Sequence, residues 1–122
     1  MGPVSSQAME VEVAFTGVPV SDLATGRDFV ERFLGRPPDI LVNADEVMWR
    51  LTGSAWLYVV VDAGRAGDAL VAVSVTDLDA TLADLRGRGV TAHSVEEVGE
   101  TGRKATVLDP DGNSFAIIEV VG

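Results

Sequence analysis

Asp109-Pro110-Asp111-Gly112-Asn113, set between the apolar run Ala105-Thr106-Val107-Leu108 and residues 114–121, decides how this chain is read. Pro110 fixes φ and suits the second place of a β-turn. Asp109 and Asp111 can accept from nearby backbone N–H groups, and Gly112-Asn113 tolerate positive φ. Strand-like runs on both sides make the stretch a hairpin tip. Many folds contain such a tip, so its value depends on what precedes it.

Upstream, residues 90–98 and 103–108 read as strands. Before them Asp77 caps a helix that carries Leu78, Leu82 and Leu85 on one face and ends near Gly87 and Gly89. Residues 69–75 form an apolar strand ahead of that helix. The order is β-α-β-β-β, closed by the strand after the turn. A polar, glycine-containing linker occupies residues 63–68.

The same order is written once before. Residues 11–18 read as a strand, and Ser21 or Asp22 can cap a helix with the stripe Leu23, Phe29, Val30, Phe33 and Leu34. Gly35 stops that helix and Arg36-Pro37-Pro38 prevents its continuation. Short strands follow at residues 40–42, 46–51 and 55–61. Val20-Ser21-Asp22-Leu23 lies over Val75-Thr76-Asp77-Leu78 at an offset of 55, from Asp22 to Asp77. Gly53-Ser54-Ala55-Trp56-Leu57 lies over Gly112-Asn113-Ser114-Phe115-Ala116 at an offset of 59, from Gly53 to Gly112. A repeat of this size is the strongest organisational signal present. Two such units, each a curved half-sheet with a helix outside, enclose a cleft between their inner faces.

The fold class expected is therefore α+β: two β-α-β-β-β modules forming an eight-stranded curved mixed sheet around a cleft. Residues 10–122 are expected to be a single domain, with module one at 10–62 and module two at 69–122. Residues 1–9 are expected to be a disordered N-terminal segment. They have no basic region and no long apolar core, so they do not read as a secretory signal.

Composition narrows the partners. The chain has 122 residues, a formal net charge of −10 and no cysteine. Repulsion from phosphate excludes nucleic acid as an expected partner. No stretch reaches the roughly 18 apolar residues of a membrane span, so no membrane association is expected. Without cysteine there is no disulfide framework and no thiolate chemistry, which fits a cytoplasmic location.

The repeat and the DPDGN hairpin together resemble the vicinal oxygen chelate superfamily, which includes glyoxalase I, fosfomycin-resistance proteins, extradiol dioxygenases and bleomycin-resistance proteins. The resemblance is carried by Val20-Ser21-Asp22…Phe29…Phe33-Leu34-Gly35, by Val75-Thr76-Asp77-Leu78-Asp79…Leu85…Gly89-Val90, and by Val107-Leu108-Asp109-Pro110-Asp111-Gly112-Asn113. It covers nearly the whole chain. In the metal-dependent members, His or Glu ligands come from each first strand, seven residues before the capping Asp, and from each last strand, four after the turn Gly. Carried over, that spacing falls on Phe15 and Leu70, and on Leu57 and Ala116. None can ligate a metal, nor can a neighbour supply a His or carboxylate. The resemblance thus implies a metal-ligand-free member with no cofactor.

Other constellations carry less. His93 is the only histidine, in a polar strand, and reads as a surface residue. If Leu57 and Ala116 face the cleft, then Trp56, Tyr58, Phe115 and Ile117 face the helices. Phe15 then lines a dry cleft. The alternation around Trp49, blurred by Val47 and Met48, leaves both of its faces open. Arg103 corresponds to a basic position often seen in relatives of bleomycin-resistance type, where it could orient an anionic or carbonyl oxygen; a solvated hairpin residue is the other reading.

The ligand-binding residues expected are Phe15, Trp49, Leu57, Leu70, Arg103 and Ala116, with no metal ligand and no catalytic residue assigned. The function they imply is metal-independent binding of a small molecule, an aromatic or cationic antibiotic or metabolite, by a homodimer whose modules share a cleft. Catalysis is not expected. Two alternatives stay open: a metal-dependent lyase, isomerase or dioxygenase with non-standard ligands, and a regulatory module with a vestigial cleft.

Overall fold

The computed structural model of the protein describes residues 8–120. The N-terminal segment expected to be disordered falls outside them up to residue 7, as does Val121 of the last expected strand. Eight strands and two helices follow in order: β1 (Ala14–Val20), α1 (Leu23–Leu34), β2 (Ile40–Asn43), β3 (Glu46–Thr52), β4 (Ala55–Val61), β5 (Leu70–Ser74), α2 (Leu78–Gly87), β6 (Ser94–Val98), β7 (Gly102–Leu108) and β8 (Ser114–Val120). The α+β class and the twice-written β-α-β-β-β order are as expected. The hydrogen bonding divides the strands into two mixed four-stranded sheets, ordered β1-β4-β3-β2 and β5-β8-β7-β6. In each, the first strand runs parallel to the last and the remaining pairs are antiparallel.

Local chemistry explains the helix ends. Asp22 sits in extended backbone and its carboxylate accepts from the Thr25 N–H at 2.9 Å; Asp77 accepts from the Ala80 N–H at 3.0 Å. Ser21, the other candidate cap, is engaged elsewhere. Its N–H and hydroxyl both donate to Asp111, at 3.0 and 2.6 Å. Gly35 closes α1 at φ 80°, a left-handed conformation that glycine adopts without a Cβ penalty.

Two strands start several residues later than expected. β1 begins at Ala14 rather than residue 11 and continues through Pro19 and Val20, because it pairs with β4 as far as Val61. β6 begins at Ser94 rather than residue 90, since Val90 turns into the core and residues 91–93 join it to the strand. His93 is exposed there.

One cluster of buried apolar residues spans both modules on the helix side of the sheets. Phe115 of β8 lies 5.1 Å from Phe29 and 5.0 Å from Phe33, ring centre to ring centre, both tilted. Helix α1 of the first module therefore packs on a strand of the second, in the tilted arrangement that aromatic quadrupoles favour. Arg88, just after α2, donates to the carbonyls of Arg32 and Phe33 and so satisfies orphan acceptors at the C-terminal end of α1.

The DPDGN turn is the other joint. Asp109 accepts from the N–H groups of Asp111 and Asn113 at 3.0 and 2.8 Å, which closes the turn on itself. The Asn113 side chain is fully buried. Its amide donates to the Pro19 carbonyl of β1 and to Asp109, both at 2.8 Å, and its oxygen accepts at 3.0 and 2.9 Å from Gly67 and Ala69 of the linker, which in the structure spans Asp62 to Ala69 between β4 and β5. All four hydrogen-bonding positions of that amide are filled. A residue expected to tolerate a turn also ties that turn to β1 and to the linker.

Candidate functional site

Side chains on paired residues of adjacent strands share a face, so the pairing of each sheet fixes which residues turn away from the helices. In the first sheet Thr16 pairs with Leu57, Val18 with Val59, Val47 with Val59 and Trp49 with Leu57. Val18, Val47, Trp49, Leu57 and Val59 are buried against the helices. The opposite face is open. Its rows are Phe15–Trp56–Arg50, Gly17–Tyr58–Met48 and Pro19–Val60–Glu46. In the second sheet Phe115, Ile117, Ala105 and Val107 are buried, and the open rows are Leu70–Ser114–Leu108, Ala72–Ala116–Thr106 and Ser74–Ile118–Lys104.

The first open face is aromatic, with Phe15 57% exposed at its rim and Trp56 and Tyr58 half-buried beside it. Gly17 makes room for the second ring. A Cβ at residue 17 would lie 2.6 Å from both Cζ and Oη of Tyr58, so the phenol leans over the backbone of β1. Only glycine permits that approach. Next to this ring a recess of about 300 Å³ opens, floored by Gly17, Pro19, Tyr58 and Val60. The linker supplies its far wall through Asp62, Arg65 and Asp68.

Of the residues expected to bind ligand, Phe15, Leu70 and Ala116 lie on the open faces. Three do not. Leu57 is fully buried on the helix face, which reverses the expected facing of β4: Trp56 and Tyr58 turn outward and Leu57 inward. The cause is the shorter turn between β3 and β4, which puts Leu57, not Trp56, in the place of Phe115. The offset of the last strands is therefore 58 rather than 59. Trp49 is fully buried too, its indole N–H donating to the Arg36 carbonyl at 3.0 Å. Arg103 pairs with Glu119 across β7 and β8 on the helix face. It bonds Glu119 and Asp79 of α2 at 3.2 Å each, and these carboxylates, Asp79 foremost, raise its pKa further. Glu119 spends its other oxygen on the Leu78 N–H at 2.6 Å, anchoring the start of α2. Arg103 thus belongs to a buried-edge ion network behind the sheet. The strand pairing also brings Trp56, Tyr58 and Gly17 together. The alternation of β1 with its parallel partner was the signal that could have found them, had the last strands been aligned by burial instead of by their turn glycines.

The family model for the glyoxalase/bleomycin resistance protein/dioxygenase superfamily matches residues 12–117. The chain belongs to that superfamily. Among solved structures, a glyoxalase/bleomycin resistance protein from Catenulispora acidiphila is 36% identical, with a TM-score of 0.85 over 89% of this chain and 98% of that one. TnmS3, an antibiotic binding protein from a Streptomyces species, is 24% identical with a TM-score of 0.71 over 93% and 98% of the two chains. A bleomycin-binding protein in complex with bleomycin is 20% identical, TM-score 0.70, over 88% and 98%. These last two share the fold. No curated protein matches the sequence.

Superfamily members that use a metal draw ligands from the first and last strands of both modules. With the register set by the strand pairing, those positions are Phe15 and Tyr58 in the first module, and Leu70 and Ala116 in the second. Two hydrocarbon side chains, a benzyl ring and a phenol do not supply the imidazole, carboxylate or thiolate donors that hold a divalent ion in the metal-dependent members. Among the described residues no group of three or more His, Cys, Asp and Glu side chains could hold one. Nor is any helix among them long and apolar enough to cross a membrane.

Proposed function

We propose that this protein is a metal-independent binder of a small aromatic or cationic molecule, an antibiotic or metabolite, which it sequesters rather than transforms. The observation that carries this reading is the row Phe15–Trp56 beside Tyr58, aromatic surface held rigidly on paired strands and turned away from the core. Flat rings stack on such a surface, and each stacked pair contributes about 0.5–1.5 kcal/mol beyond the area it buries. The non-ligating residues at the four metal positions support the same reading. So does the likeness in fold to TnmS3 and the bleomycin-binding protein.

The second open face supports a homodimer. Its middle row is small, Ala72–Ala116–Thr106, and Leu70 and Leu108 stand exposed at its rim. In the proposed dimer a partner's small wall faces this chain's aromatic wall and leaves between them a slot of ring thickness. The cytoplasm, where a chain without cysteine loses nothing to reducing conditions, is the compartment proposed.

Titration of a panel of planar aromatic and cationic antibiotics, followed by tryptophan fluorescence, tests the proposal. Trp56 is expected to quench on binding while buried Trp49 does not, so Trp56→Phe removes the response. Sedimentation equilibrium should return twice the chain mass. Absence of binding across the panel, or tight stoichiometric Fe, Mn, Zn or Ni in the purified protein, would overturn it.

A further inference from the structure

The recess beside Tyr58 differs from the rest of the aromatic wall in its charge. Its floor is apolar and aromatic, but its far side is the linker, which carries Asp62 and Asp68 against a single cation, Arg65. Arg65 approaches only Asp62, at 3.7 Å, with its side chain 81% exposed, so it screens that carboxylate weakly. No cation among the described residues lies within ion-pair distance of Asp68. The recess therefore has a surplus of one negative charge next to a phenol ring.

The backbone that carries these carboxylates is also held in place. Asp62 donates its N–H to the Val20 carbonyl at 2.9 Å, and the N–H groups of Arg65 and Asp68 both close turns at 3.1 Å. Gly67 and Ala69, on either side of Asp68, donate to the Asn113 side chain. A wall fixed at these points loses little freedom when a ligand arrives. An aromatic ring and a carboxylate borne on a fixed backbone at the edge of one cavity both favour an organic cation.

We infer that the recess between Tyr58 and the linker is a subsite for an ammonium or guanidinium group, with Asp68 as its counter-charge, borne by a ligand whose rings lie on the aromatic wall. This rests on the reading of that wall as the ligand-binding surface. It names the ligand class as aromatic cations and makes Asp68 the residue that sets the preference.

Calorimetric titration with 1-naphthylmethylamine and the neutral 1-naphthylmethanol separates the two ideas, because the probes share a ring system and differ in charge. The amine is expected to bind the wild-type protein about five-fold more tightly than the alcohol. Asp68→Asn should bring the ratio within about two-fold by weakening the amine alone. Glu100→Gln, on the loop between β6 and β7, removes the same charge elsewhere and should leave the ratio unchanged. Amide shifts on amine binding should centre on Gly17 and residues 62–69. Equal affinity for both probes, or a ratio that survives Asp68→Asn, overturns the cation subsite while the wall reading stands. If neither probe binds, wall and subsite fall together.

Discussion

The two sheets are built to one topology and differ most on the faces they turn away from the helices. Position for position, Gly17–Tyr58–Met48 in the first corresponds to Ala72–Ala116–Thr106 in the second, and Phe15–Trp56–Arg50 to Leu70–Ser114–Leu108. Behind both rows the buried faces are alike: Leu57 and Val59 stand where Phe115 and Ile117 do. The backbone frame and the core are thus repeated, whereas the outer faces have separate chemistries, one aromatic and one small. Fold is held by the face that packs on the helices. The open face is free to carry function because little of the core depends on it.

The sharpest way to break this comparison is at neighbouring residues of β4. Leu57→Ala should cost about 3 kcal/mol of stability, the ordinary range for a buried leucine, with ligand affinity unchanged in whatever protein stays folded. Denaturant unfolding measures it, and a cost under about 1 kcal/mol would mean that Leu57 is not in the core. The two turns differ next. Asn113→Ala removes a filled amide that has no counterpart in the first module's Gly53-Ser54 turn, and should cost about 2 kcal/mol. The residue beside Leu57 should behave the opposite way: Tyr58→Ala should change stability by less than about 1 kcal/mol and weaken aromatic ligands about ten-fold in a fluorescence titration.

The smallest effect compares the helix caps. Asp22 accepts from both the N–H and the hydroxyl of Thr25, which hold its carboxyl below the usual range, the backbone N–H contributing most. A depressed carboxylate stabilises the fold above its unfolded-state pKa and loses that effect as pH falls through its folded value. Asp22→Ala should therefore lower the melting temperature at neutral pH, with the deficit shrinking as pH falls below about 4. Asp77, whose side chain accepts only from Ala80, should cost less when replaced by alanine at neutral pH.

Much of the fold was legible because its signals are local. Asp22 and Asp77 cap helices whose apolar stripes are visible at a 3.6 period, and the DPDGN turn marks the strand that follows it. The candidate site was half legible. Phe15, Leu70 and Ala116 could be placed by counting from a cap or a turn. Leu57, Trp49 and Arg103 could not be, for three separate reasons. A one-residue difference in turn geometry reverses every side chain of a strand, and the glycines used to align the last strands lie in turns of different length. The facing of Trp49 is set by its pairing with Leu57 on the neighbouring strand, and its indole N–H then meets the Arg36 carbonyl between α1 and β2. Arg103 was claimed by Asp79 and Glu119, which sit 24 residues before it and 16 after it in the chain.

By itself the sequence determined the element order, the helix boundaries, the acidic charge and the absence of His and carboxylate side chains from the strand positions where metal-dependent superfamily members place ligands. These follow from residue type and short-range spacing. Only the tertiary structure decided which face of β4 looks outward, that Gly17 lets Tyr58 lean over β1, and that Asn113 fastens the linker backbone beside that ring. Each of these depends on the register between segments far apart in the chain. Register is fixed by the pairing and burial of whole strands, and no single stretch contains it.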